Sequence, residues 1–166
     1  MTLLGLVGLK DPCCPGVRKA VEDCQYAGVN VKMITGDNVF IARAIATKCG
    51  ILKLGQDMVN GVLIEGMEFR NYKLEERMEK VDKICVMAKP SPSDKRLMVE
   101  CLKQKGHIVA VIGGGINDAP ASKEADIRLS IGIRGTGGGE VELGYRHFGK
   151  QLCFCGQSFK MRKMCP

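Results

Sequence analysis

Short apolar runs that end in polar, glycine-bearing loops and lead into helical stretches constrain this chain more than any other feature. Leu3–Leu9 is a continuous apolar run, suited to a strand covered on both faces. Pro15 and Gly16 open a helix with Val17, Ala20, Val21 and Cys24 on one side, and Gly28 is placed to cap its end. Val29 to Thr35 reads as a second strand, and Asn38 starts a helix that Gly50 closes. The stretch 51–72 is weakly patterned, with a short apolar piece at Val62–Ile64. Leu74 to Asp82 is predicted as a surface helix and Ile84–Ala88 as a strand. Ser93 is placed to cap a helix reaching Lys105, carrying Leu97, Met98, Cys101 and Leu102 inward. Ile108–Ile112 is the next strand, followed by a glycine cluster, a short helix near Asn117–Glu124, and a strand around Ile127–Ile131.

Strands separated by helices of this length specify βαβ units and a parallel sheet. Such sheets bind ligands beyond the C-terminal ends of their strands. The polar loops Thr35-Gly36-Asp37, Lys89 through Lys95 and Gly113 through Asp118 all fall there, which makes them a candidate site.

Composition removes several alternatives. The chain is 45% hydrophobic and 26% charged, a globular profile. It has no apolar run long enough to cross a bilayer, and Met1 to Lys10 lacks the basic start and cleavage site of a signal peptide. The net charge of +7 comes from Lys and Arg interleaved with Asp and Glu, without the basic block of a nucleic-acid binder. The nine Cys form no paired CxxC and read as reduced cytosolic thiols. Cys24, Cys49 and Cys101 sit at apolar helix positions. His147, Cys153, Cys155 and Cys165 match no zinc spacing.

From about Gly137 the pattern stops. Half of the aromatic residues lie beyond this point, namely Tyr145, Phe148, Phe154 and Phe159, and neither strand nor helix periodicity persists. The expected division is a domain over residues 1–136 and an unrelated, disordered tail over 137–166.

Each loop has its own chemistry. In Thr35-Gly36-Asp37 the hydroxyl and the turn can meet a phosphoryl oxygen, although an ordinary turn uses the same residues. Lys95 falls in the first turn of a helix, where a cation opposes the helix dipole, which makes a bound anion a candidate partner beside the reading as an ordinary surface lysine. Lys89 can reach the same ligand. In Gly113-Gly114-Gly115-Ile116-Asn117-Asp118 the glycines allow close backbone approach, while Asn117 and Asp118 supply an amide and a carboxylate. A dinucleotide-binding GxGxxG fails because Asp118 stands at the third glycine position.

Together Asp11-Pro12, Met33-Ile34-Thr35-Gly36-Asp37-Asn38, Lys95, and Asn117-Asp118-Ala119-Pro120 with Glu124-Ala125-Asp126 resemble the phosphorylation domain of P-type ATPases. These are members of the haloacid dehalogenase superfamily, and the resemblance runs from Leu3 to Thr136. Gly8-Leu9-Lys10-Asp11-Pro12 looks most like plant calcium pumps of the autoinhibited, calmodulin-regulated type. The implied fold is α/β, an incomplete Rossmann-like parallel sheet with flanking helices. The implied activity is ATP hydrolysis coupled to cation transport, with ATP and Mg2+ as nucleotide and cofactor. The implied partners are the nucleotide-binding and transmembrane parts of the pump, at the cytosolic face of a membrane. The chain itself is expected to be soluble.

The resemblance implies that Thr35 binds phosphoryl oxygens and that Gly36 and Asp37 hold the nucleotide side. Lys95 neutralises charge developing in transfer, and Lys89, where the family has Arg, helps bind nucleotide. Asn117 contacts phosphate or nucleotide, and Asp118 supports the magnesium shell. Four departures oppose activity. The DKTGT motif with the phosphorylated Asp is absent. Gly114 stands where the direct magnesium-ligand Asp belongs, and Ile112 replaces a Thr. Cys14 takes the place of an Arg, and the residues after Thr136 depart from the family. No DxD occurs, which opposes a free-standing phosphatase. The expectation is therefore a defective piece of a pump, inert by itself, or a non-catalytic module that binds nucleotide or a partner.

Overall fold

A computed structural model of the chain describes residues 16–53, 61–113, 116–129 and 152–155. The expected strand Leu3–Leu9 lies outside them. The helical reading holds at both of the first two helices. α1, Val17–Tyr26, buries Val21 and Cys24, and the chain leaves it through Gly28 at φ 78°. β1 is Met33–Thr35, shorter than expected. α2, Val39–Lys48, begins where the Asn38 side chain accepts a hydrogen bond from Ile41 N.

The weakly patterned stretch yields β2, Leu63–Glu65, and a helix the sequence did not announce, α3, Gly66–Asn71. α3 is only six residues long, too short for a periodic signal, and is fixed by Phe69, which is completely buried. α4, Leu74–Lys80, is the expected surface helix and buries none of its residues. β3 is Val86–Ala88.

α5, Pro92–Gln104, corrects the expected cap. Ser91, not Ser93, is the N-cap, and its hydroxyl accepts from Asp94 N while the Asp94 carboxylate accepts from Ser91 N. Pro92 occupies the first turn, where its missing N–H costs nothing, so the cap falls one residue before it. β4, Ala110–Ile112, is followed by a 3₁₀ turn at Ile116–Asp118, then α6, Ala119–Glu124, and β5, Ile127–Leu129.

Most of the expected tail, 137–166, lies outside the described residues; within it, Leu152–Cys155 form β6, which lies in the centre of the sheet. The order is β2-β3-β1-β6-β4-β5, with every pair parallel. β6 pairs with β1 at Met33↔Phe154 and with β4 at Val111↔Cys153. The sequence Leu-Cys-Phe-Cys is continuously apolar, the pattern of a central parallel strand. Among the described residues it is β6 that supplies the ladder partners of the inner edges of β1 and β4.

Successive sheet residues divide between two apolar clusters. Ile34, Ile64 and Met87 pack with Met98, Leu102 and Phe69, whereas Val86 and Ala88 pack with Val21, Ala42 and Ala46. The period of two thus buries both faces, α5 on one side and α1 with α2 on the other. Lys32 is buried among these apolar residues at 1% exposure. Its ammonium donates to Val81 O, Asp82 O and Ile84 O at 3.0, 2.9 and 2.5 Å. It thereby gathers the carbonyl of the α4 C-cap, Val81, and two from the turn that follows it. Among the described residues, no helix is long and apolar enough to cross a membrane.

Candidate functional site

Parallel pairing brings the C-terminal ends of β1, β3 and β4 to one edge, with Thr35 level with Ala88 across the β1–β3 pair. The loops that follow these strands therefore share that edge. After β1, Thr35 Oγ1 donates to Asp37 Oδ2 at 2.7 Å and accepts from Asp37 N at 3.2 Å. This closes a turn that leaves Gly36 exposed.

The loop after β3 is tied to the first. Lys89 N donates to Thr35 O at 2.9 Å and to Asp37 O at 3.2 Å. Lys89 is the one non-glycine residue among those described with positive φ, at 46°, and it precedes a proline. That backbone state is disfavoured for a residue with a side chain, and local strain of this kind gathers at ligand sites. The Lys89 side chain is exposed.

At the start of α5, Lys95 Nζ donates to Asp118 Oδ1 at 2.7 Å, and both side chains are only 12% exposed. Gly113 makes room for that carboxylate. A Cβ at Gly113 would lie 2.6 Å from Asp118 Oδ2, closer than atoms can approach. Asn117 is exposed on the same turn. Of the predicted residues, the structure joins Thr35 with Asp37, both with the Lys89 backbone, and Lys95 with Asp118. Gly114 lies outside the described residues.

Sequence reasoning missed Ser91, Asp94 and Gly66. The first two carried a signal, since Ser-x-x-Asp ahead of an apolar run is a capping pattern. Gly66 carried none, because only the packing of α3 reveals its close approach to Asp94 and Pro90.

The arrangement is suited to an anion bearing several oxygens. Lys89 and Lys95 offer ammonium groups, and the Thr35 hydroxyl becomes a further donor once it turns from Asp37 to the ligand. A magnesium ion takes one or two direct carboxylates within a near-octahedral oxygen shell completed by water. At this edge the carboxylate that the turn after β4 supplies, Asp118, is engaged by Lys95. The Asp118 carboxylate already faces Lys95 with one oxygen and Gly113 with the other.

A family model described as haloacid dehalogenase-like hydrolase matches residues 2–126. The putative calcium-transporting ATPase 13, plasma membrane-type, of Arabidopsis thaliana is 65% identical over 136 residues, covering 82% of this chain. Calcium-transporting ATPase 12, plasma membrane-type, of the same plant is 66% identical over 136 residues, and calcium-transporting ATPase 7, plasma membrane-type, of Oryza sativa subsp. japonica is 58% identical, both again over 82% of this chain. The chain spans 13% of the length of each of these relatives. Its match over residues 2–126 and its parallel sheet with helices on both faces agree, and the chain belongs to the haloacid dehalogenase-like hydrolase family.

Proposed function

We propose that this chain is the phosphoryl-binding core of a P-type calcium-transporting ATPase, in which ATP hydrolysis drives cation transport across a membrane. The observation that carries the reading is the sheltered Lys95–Asp118 pair at the strand edge it shares with the Thr35–Asp37 turn. The likeness to plant calcium-transporting ATPases supports the substrate and the transported ion. Lys95 meets phosphoryl charge, Asp118 orients Lys95, Thr35 and Gly36 line the phosphoryl oxygens, and Asp37, Lys89 and Asn117 face the nucleotide. Positioning and charge compensation are the main protein contributions to phosphoryl transfer. In this reading the partners are the nucleotide-binding and transmembrane parts of a longer polypeptide, and the site faces the cytosol.

The engagement of Asp118 by Lys95 favours a second element of the proposal. These 166 residues bind ATP or phosphate without turning it over, because they contain no DKTGT and hold Gly114 at the magnesium-ligand position. Titration of the chain with ATP and with inorganic phosphate tests both elements, beside a search for acid-stable phosphoprotein. The expected result is saturable binding that Lys95→Ala weakens, with no phosphoprotein. A folded chain that shows no binding at about 1 mM ligand, a weak affinity of about 4 kcal/mol, overturns the binding site. Phosphoprotein formation overturns the non-catalytic element.

A further inference from the structure

We infer that Asp94 is the positioning residue that aims Lys95 across the site, held in place by Arg70 and by the close approach of Gly66. Asp94 is completely buried at the first turn of α5, immediately before Lys95. Its Oδ2 accepts from Ser91 N at 2.8 Å. Its Oδ1 makes no hydrogen bond among the described residues and faces Arg70 Nε at 3.5 Å. A buried carboxylate oxygen without a hydrogen bond is costly, so a role beyond capping has to explain it. Serine with an uncharged residue three positions on would cap the helix without that cost.

The role follows from what Asp94 touches. Lys95 places a positive charge in the first helical turn, where the dipole opposes it. The neighbouring carboxylate offsets that charge within the same turn. Asp94 also fixes the path of the segment 89–94. A Cβ on Gly66 would lie 2.8 Å from Asp94 Oδ2, 2.6 Å from Pro90 Cα and 3.2 Å from Lys89 O. The start of α3 thus presses directly on this segment. The other end of the segment carries the Lys89 N–H bonds to Thr35 O and Asp37 O. One clamp therefore sets both the turn after β1 and the backbone start of Lys95, whose Nζ lies 2.7 Å from Asp118 Oδ1.

The inference rests on the reading of Lys95 as the anion-binding group, and its test reads Lys95 directly. The full chain is acylated with a limiting amine-reactive reagent, and the rate at each lysine is followed by mass spectrometry. Lys103, ion-paired with Glu124 and Asp126 elsewhere, is the internal reference. Asp94→Asn keeps the shape and removes the charge. The expected result is about fivefold faster acylation at Lys95, the scale of one lost helix cap, with Lys103 unchanged. Gly66→Ala, which keeps the charge and displaces the clamp, is expected to act in the same direction. A Lys95 rate that moves no more than that of Lys103 overturns the inference. If Asp94→Asn does not fold, Arg70→Gln carries the test by the same comparison, since Arg70 is half exposed. Faster Lys95 acylation with unchanged phosphate affinity supports the clamp and overturns the phosphoryl-binding reading, so the two failures are distinguishable.

Discussion

Lys95 and Asp118 stand 23 residues apart in sequence, yet their side chains meet at 2.7 Å with 12% of each exposed. Such a pair loses much of its hydration, and its net worth depends on what else it contacts. Its position, where the α5 start meets the turn after β4, makes it the centre of the candidate site.

Replacing one member separates stability from binding. Lys95→Ala leaves the Asp118 carboxylate sheltered without its cation, and a loss of about 1–3 kcal/mol is expected in urea unfolding. ATP affinity is expected to fall about tenfold or more, the scale of a charge-assisted hydrogen bond. Asp118→Asn retains an acceptor for Lys95, so its effect on stability is expected to be smaller. A Lys95→Ala chain with full ATP affinity would remove Lys95 from the site.

The two serines around Pro92 give a sharp contrast. Ser91→Ala removes the hydroxyl that accepts from Asp94 N and is expected to cost about 1 kcal/mol. Ser93→Ala alters an exposed position and is expected to stay within about 0.5 kcal/mol of the parent. Equal effects in denaturant titrations would contradict the observed cap.

Lys32 is the unexpected anchor of the opposite end of the sheet. Lys32→Met keeps the length of the side chain and removes the donor shared by three carbonyls, those of Val81, Asp82 and Ile84. Leaving buried acceptors unpaired is expected to cost roughly 3 kcal/mol or more. A loss under about 1 kcal/mol in urea unfolding would mean that the carbonyls find other partners.

These cases explain what was legible beforehand. Asn38 and Gly50 bounded α2 correctly because caps act through their own backbone neighbours. That the three polar loops share one edge was legible, because parallel strands must end together there. Lys32 was not, since nothing in the strand it precedes separates a lysine reaching water from one reaching carbonyls. α3 was not, because its six residues are held by Phe69 in the core and not by any repeat of their own. Asp94 was passed over in the sequence, and its burial against Gly66 gives it a meaning beyond the cap.

A pH dependence follows from Asp82. Burial pushes its carboxyl up, but hydrogen bonds and charge from Lys105 and His107 outweigh this and leave it below the ordinary value of 3.8. A lowered carboxyl contributes stability above the unfolded value, and that contribution is lost as pH falls through the folded value. Because Asp82 is 40% exposed, solvent screening keeps the effect small. Urea midpoints are expected to decline as pH drops below about 4, less steeply in Asp82→Asn. Identical slopes in the two proteins would show that other carboxylates govern acid unfolding.

Among the described residues, Leu152–Cys155 is the strand that joins β1 to β4. A chain shortened after Thr136 would leave two inner edges with unpaired N–H and C=O groups, the template for edge-to-edge association. Such a chain is expected to self-associate, and the amides of Met33–Thr35 and Ala110–Ile112 are expected to exchange faster. Phe154→Pro separates the strand from the mere presence of the tail, because proline cannot donate to a central ladder. It is expected to reproduce the faster exchange at full length. Light scattering and amide exchange on both chains decide the matter. A shortened chain that stays monomeric with unchanged exchange in β1 and β4 would show that β6 contributes nothing to holding the sheet together.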